Sequence, residues 1–184
     1  MLEKPNFYSV IIGTELLNGR RKDAHFAFLN QQLLSRGWEQ KASFVINDDI
    51  NLMENIFNLI KNDPNSVMFC FGGIGATPDD YTREVAGKVF RDGKMEFHKE
   101  AKNRIINQFA EEAYPHRINM AYLPINAKLL TNVVNNVAGF YLEDRFFFTP
   151  GFPSMSQAMV IEALDKIYPK SDIQKYRKVM TINA

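Results

Sequence analysis

Residues 67–71 read VMFCF, an unbroken apolar run between Asp63-Pro64 and Gly72-Gly73. A strand that is apolar on both faces has to be covered on both faces, which is the situation of a central strand in a parallel sheet. The run is too short for an ordinary helix, and its flanks break helices. Around it, short apolar runs alternate with longer segments of helical period. That order predicts βαβ units and a mainly parallel sheet.

Residues 7–12 (FYSVII) form the first expected strand, stopped by Gly13. Asp23 is placed to cap a helix with the apolar stripe Phe26, Leu29, Leu33 and Leu34, ended by Gly37. Residues 38–46 read as a second strand. Asp49 caps a helix carrying Ile50, Met53, Phe57 and Ile60, which Asp63-Pro64 stops. Helices are expected over 82–90 and 99–114, with Ile105, Ile106, Phe109 and Ala113 of the second facing inward and Pro115 ending it. Leu129-Leu130 begins an extended segment. Residues 139–149 (GFYLEDRFFFT) read as a hairpin turning at Glu143-Asp144, its phenylalanines serving either the core or an interface. Ser154 is placed to cap a last helix through Met155, Met159, Ile161 and Leu164. The expectation is one three-layer α/β/α sandwich over residues 1–169, with a mainly parallel sheet plus a β-hairpin. Residues 170–184 form a tail that fits either a loose end or an added edge strand.

With 184 residues, one domain is expected, and 46% apolar content supplies its core. The 22 basic and 21 acidic side chains leave a net charge of +1, which argues against a protein that coats nucleic acid. No apolar stretch is long enough to span a membrane, and no secretory signal opens the chain, so a cytoplasmic location is expected. The single cysteine, Cys70, lies in the apolar run as a core residue. The three histidines, His25, His98 and His116, lack metal-ligand spacing.

Ligands of open α/β sheets bind beyond the carboxyl ends of the strands. The segments there are GTELLNG (13–19), NDD (47–49), GGIGATPDD (72–80) and TPGFP (149–153). Gly72, Gly73 and Gly75 suit a loop whose successive N–H groups hold a phosphate, helped by the next helix N-terminus and by the hydroxyls of Thr77 and Thr82. Gly13, Pro150 and Gly151 complete the cradle. The segment matches neither the P-loop nor the GxGxxG fingerprint. Asp79 and Asp80 serve either as helix caps or, beside a phosphate, as ligands of Mg²⁺. Asp48 and Glu15 carry the same two readings, as turn or solvated residues or as metal ligands. Glu111-Glu112 and Arg20-Arg21-Lys22 read as solvated surface.

The order of GTELLNG, NDD, GGIGATPDDYT, then Pro124, Ala127, Leu130 and Asn132, then Gly139-Phe140 and Pro150-Gly151-Phe152-Pro153 resembles the molybdopterin-binding domain of molybdenum-cofactor biosynthesis proteins. It most resembles the version at the N-terminus of CinA-type proteins, from about Phe7 to Met159. The resemblance implies a small-molecule nucleotide or pterin ligand, either molybdopterin or an adenine nucleotide, bound with Mg²⁺. It implies either hydrolysis of a nucleotide pyrophosphate such as ADP-ribose or FAD, binding without turnover, or adenylylation of molybdopterin. It also implies a homo-oligomer. The family's functional aspartates fall on Asp48 and Asp80, as catalytic and metal-binding residues, and its first-loop glutamate falls on Glu15. Thr14 stands where the family has an acid, His25 where it has Asn, and Asn135-Asn136-Val137-Ala138 where it has GTAP. Fewer acids imply weaker metal binding. No counterpart of the CinA amidohydrolase domain occurs in the 184 residues, so that activity is not expected.

Overall fold

A computed structural model of the chain describes residues 2–169; the tail expected over 170–184 lies outside the described residues. The elements in order are β1 (Asn6–Ile12), the single turn α1 (Thr14–Leu17), α2 (His25–Ser35), β2 (Gln40–Ile46), α3 (Ile50–Lys61) and β3 (Ser66–Phe71). Then follow α4 (Thr82–Arg91), β4 (Met95–Phe97), α5 (Lys99–Phe109), β5 (Tyr122–Pro124), β6 (Lys128–Leu130), β7 (Gly139–Leu142), β8 (Phe146–Thr149) and α6 (Pro153–Ile167). Two 3₁₀ turns, Ala110–Ala113 and Arg117–Ala121, link α5 to β5.

The main sheet runs in the order β2-β1-β3-β8-β7-β6. β2, β1, β3 and β8 are parallel, while β7 runs antiparallel to both β8 and β6. Every residue of β3 is buried, as an apolar strand between two layers requires. Alternation along the strands sends Tyr8, Val10, Ile12, Met68, Cys70, Phe146 and Phe148 to the face packed by α3, α4 and α5. The opposite face sends Phe7, Ile11, Val67, Phe69, Phe71 and Phe147 against α2 and α6. The three hairpin phenylalanines are thus core within one chain, not interface. Phe146 stacks on Phe90 at 4.2 Å, and Phe147 stacks on Phe69 at 4.8 Å. The hairpin turns at Glu143 and Asp144, both in the left-handed region with φ of 58° and 54°.

Several local expectations change. Phe26 and Leu34 of α2 are exposed, at 44% and 51%; its buried face is His25, Leu29 and Leu33. Ile50 and Ile161 also face outward. Asp23 stands one residue before the N-cap, Ala24, and accepts from the N–H groups of His25 and Phe26. Ser154 caps nothing, because α6 starts one residue earlier on Pro153, whose fixed φ and missing N–H suit a first helical position. β2 starts at Gln40, two residues later than expected. The long helix expected over 99–114 gives way after Phe109 to a 3₁₀ turn, where Ala110 has φ 48°. The two-stranded antiparallel sheet of β4 and β5 was not foreseen.

At the amino ends of the strands, the Asp63 carboxylate accepts from Asn6 Nδ2 (2.9 Å), Tyr8 OH (2.8 Å), Lys41 Nζ (3.0 Å) and the N–H of Asn65 (3.0 Å). Burial alone would raise its pKa, but these four donors hold the carboxyl well below the usual carboxylate range. A depressed carboxyl pKa adds stability that is present above the unfolded value, near 3.9, and lost as pH falls toward the folded one. Asp63→Ala is expected to destabilise the chain by about 1–3 kcal/mol at neutral pH. Urea unfolding at pH 7 and pH 3 should show that loss shrinking in acid; a loss independent of pH would refute this role.

Candidate functional site

β1, β2, β3 and β8 end at one edge of the sheet, and their following loops enclose an open cleft of about 460 Å³. That volume lies within the range of small-ligand sites. Gly13, Glu15, Asp48, Gly72, Gly73, Gly75, Thr77, Asp80, Pro150 and Gly151 all line it. Thr82 does not. It is fully buried under the loop, and its hydroxyl donates to the Gly72 carbonyl at 3.0 Å. It supports the loop instead of offering a ligand hydroxyl.

The floor of the cleft is backbone packed on backbone. The N–H of Gly13 bonds the carbonyl of Ile46, and the N–H of Gly72 bonds that of Thr149. Gly72 and Gly73 have φ of 104° and 68°, conformations strained for other residues. A Cβ on Gly72 would stand 2.5 Å from the carbonyl oxygen of Ile12. Among the described residues, the N–H groups of Gly73, Ile74, Gly75 and Ala76 have no protein acceptor. Four successive free amides in a turning loop are the makings of an anion nest.

The two aspartates share one arrangement. Asp48 Oδ2 accepts from the N–H (3.0 Å) and hydroxyl (2.8 Å) of Thr14. Asp80 Oδ2 accepts from the N–H (2.8 Å) and hydroxyl (2.5 Å) of Thr77. In each case Oδ1 carries no hydrogen bond among the described residues. Neither Asp79 nor Asp80 caps α4, which has no side-chain cap. Thr14, standing where the family has an acid, is thus the residue that binds Asp48. Asp49 caps α3, as expected.

Arg21, expected on the solvated surface, lines the cleft and is the cation among the described residues that do so. Its guanidinium donates to the Gly151 carbonyl at 3.0 Å, pairs with Glu15 at 3.5 Å and lies over the Phe152 ring. A charge run gave no sign of which member would fold inward. Asn132 was also passed over as a site residue, although it sits in the quoted motif. Buried, it donates to Asn135 Oδ1 and the Val137 carbonyl and accepts from the N–H groups of Val134 and Asn135, so it shapes the loop beside the cleft. Phe109, Met120, Val137 and Phe152 add an apolar wall.

Among the described residues, no group of three or more His, Cys, Asp or Glu converges as a protein-only metal cage. Magnesium commonly takes one or two carboxylates and completes its shell with water and substrate phosphate. Asp48, Asp80 and Glu15 each bring oxygen donors to the cleft, but the three do not converge on one point.

His25 is buried against Phe71, with ring centroids 4.5 Å apart, between the Gly151 carbonyl (3.2 Å from Nε2) and Ser156 Oγ (3.3 Å from Nδ1). The pairing fits a neutral ring with its proton on Nε2. Burial lowers its pKa; the Gly151 carbonyl and Asp23 oppose that shift, and Arg21 adds to it. A lowered histidine pKa means that the unfolded chain takes up a proton the folded chain refuses. Stability is therefore full above the unfolded value, near 6.5, and lost as pH falls below it. His25→Gln is expected to flatten the fall in unfolding free energy between pH 6.5 and 5, measured by urea titration. An unchanged slope would show that His25 is not the group responsible.

The chain matches the family described as "Probable molybdopterin binding domain" over residues 9–169. A protein of Pyrococcus abyssi is 28% identical over 180 residues, covering 90% of this chain and 71% of that protein. A CinA-like protein of Geotalea uraniireducens is 32% identical over 162 residues, covering 83% of this chain but only 37% of that protein. The crystal structure of the protein CinA from Thermoplasma acidophilum superimposes with a TM-score of 0.77 at 24% identity, covering 88% of this chain and 97% of that one. The tungsten cofactor synthesizing protein MoaB from Pyrococcus furiosus shares the fold at TM-score 0.53 and 16% identity, over 91% of this chain and 99% of that one. No helix among the described residues is long and apolar enough to cross a membrane. The chain is similar to CinA-type proteins and belongs to the molybdopterin-binding domain family.

Proposed function

We propose that the cleft binds a phosphorylated heterocycle of the molybdopterin or adenine-nucleotide class together with Mg²⁺, and hydrolyses the pyrophosphate bond of substrates such as ADP-ribose or FAD. The observation that carries this reading is the meeting, in one cleft, of a free-amide loop with two carboxylates that each keep one oxygen open.

The loop of Gly72 to Ala76 supplies N–H donors for phosphate oxygens, which gain charge as water attacks phosphorus and the bridging oxygen leaves. Arg21 supplies positive charge near the same oxygens. Phe109, Met120 and Val137 offer the ring an apolar wall. Asp48, Asp80 and Glu15 would supply the carboxylates that hold the ion. When bound, magnesium neutralises charge between carboxylate and phosphate and lowers the pKa of a coordinated water. The attacking water would give up its proton to a cleft carboxylate that is not holding the ion. Cleavage of ADP-ribose or FAD gives AMP and the phosphorylated remainder. Self-association remains part of this reading on the family's likeness.

Binding without turnover is the second reading, favoured by the Thr14 hydroxyl, which occupies Asp48 Oδ2 at the position where the family has an acid. Calorimetric titration of ADP-ribose, FAD and ATP, with and without Mg²⁺, separates the two when each mixture is assayed for AMP. Turnover should be magnesium-dependent and fall about a hundredfold or more in Asp80→Asn, and about tenfold or more in Asp48→Asn. Tight binding with no AMP under any divalent cation would leave a carrier or sensor. No AMP, together with unchanged affinity in Asp80→Asn, would overturn the hydrolase reading.

A further inference from the structure

The cleft amides are free because their partner carbonyls are not. The Gly72 carbonyl accepts from Thr82 Oγ1 at 3.0 Å, and the Gly73 carbonyl accepts from the Thr82 N–H at 3.0 Å. The Ile74 carbonyl accepts from Arg83 Nη1 at 2.5 Å, and the same nitrogen bonds the Gly75 carbonyl. Four consecutive carbonyls are thus drawn to the first two residues of α4. The cis peptide among the described residues is Tyr114-Pro115, so these loop peptides are trans. In a trans peptide the C=O and the following N–H point in opposite directions. Tying back the carbonyls of residues 72–75 therefore turns the N–H groups of Gly73, Ile74, Gly75 and Ala76 away from α4. Gly72 to Ala76 line the cleft, whereas neither Thr82 nor Arg83 does.

We propose that Arg83 and Thr82 are positioning residues that set the polarity of the phosphate loop, Arg83 aiming the Gly75 and Ala76 amides into the cleft and Thr82 aiming those of Gly73 and Ile74. This rests on the phosphate-binding reading above. Arg83 is 8% exposed, and its hydrogen bonds among the described residues go to these two backbone carbonyls and to no carboxylate. A buried guanidinium is costly to desolvate, and serving two carbonyls of one loop gives it a local task. The two residues divide the loop into halves. The Arg83 half depends on a side chain alone, whereas the Thr82 half also has a backbone donor, so a side-chain change at Thr82 should disturb only the Gly73 amide.

The division is testable amide by amide, with no metal and no turnover. Inorganic pyrophosphate titrated into ¹⁵N-labelled wild-type protein should shift the amides of Gly73, Ile74, Gly75 and Ala76 saturably. In Arg83→Met, the Gly75 and Ala76 responses should disappear while Gly73 and Ile74 still respond, and the dissociation constant should rise about ten- to hundredfold. Arg83→Lys should recover part of the affinity. Thr82→Val, a nearly isosteric change, should lose the Gly73 response alone, and it keeps the proposal falsifiable if Arg83→Met does not fold. Equal weakening of all four amides in both Arg83→Met and Thr82→Val, as general loosening would give, overturns the positioning roles. So do wild-type responses in these variants. No response in the wild-type protein overturns the phosphate-binding reading itself.

Discussion

The burial of β3 on both faces is the constraint from which the architecture follows. Its backbone must be hydrogen-bonded on both edges, and its side chains must be covered above and below. β1 and β8 meet the first demand as parallel neighbours, and the two helical layers meet the second. Parallel neighbours also end together. The chain leaves β1, β3 and β8 at one edge within a few ångströms of itself, and only residues without side chains can pass there. The Cβ that Gly151 lacks would stand 3.3 Å from Gly72 Cα. The burial that makes β3 a central strand thus also brings the glycine segments into one cleft.

What keeps that cleft in shape is hydrogen bonding between its own loops. Thr14 joins the β1 loop to the β2 loop through Asp48. Arg21 and His25 both bond the Gly151 carbonyl, joining the segment before α2 to the loop before α6. α4 holds the loop after β3 from beneath. The anchors at Gly151 and under the loop after β3 satisfy buried or half-buried polar groups, whereas the Thr14–Asp48 bonds lie at the surface.

The layers were legible because they depend on periodicity. The apolar run before Gly72, the stripe of α3 with its Asp49 cap and the hairpin at Glu143-Asp144 each have one physical reading. The errors fall where tertiary context outranks local pattern. Phe26 and Leu34 keep helical spacing yet face solvent, because His25 takes the buried place beside Gly151. Ser154 has a capping side chain, but Pro153 begins the helix before it. β4 and β5 are too short, at three residues each, for alternation to register. At the cleft, the glycines and aspartates stood out by type and spacing. Thr82 stood out only as a ligand hydroxyl, and its support of the loop, like the roles of Arg21 and Arg83, did not show, since a side chain that folds back on a carbonyl leaves no periodic trace.

The floor of the cleft and its rim are made of different material. The floor is main chain, closed at Gly72 against the Ile12 carbonyl and at Gly151 against the backbone of Gly72. The rim is side chain: Phe109, Met120, Val137 and Phe152. Substitution is therefore tightly limited in the backbone floor and has wide latitude at the apolar rim that would meet a ring. A scaffold divided in this way can change the heterocycle it accepts through a few rim positions while its phosphate chemistry stays fixed, so divergence of ligand preference among relatives would be written at the rim.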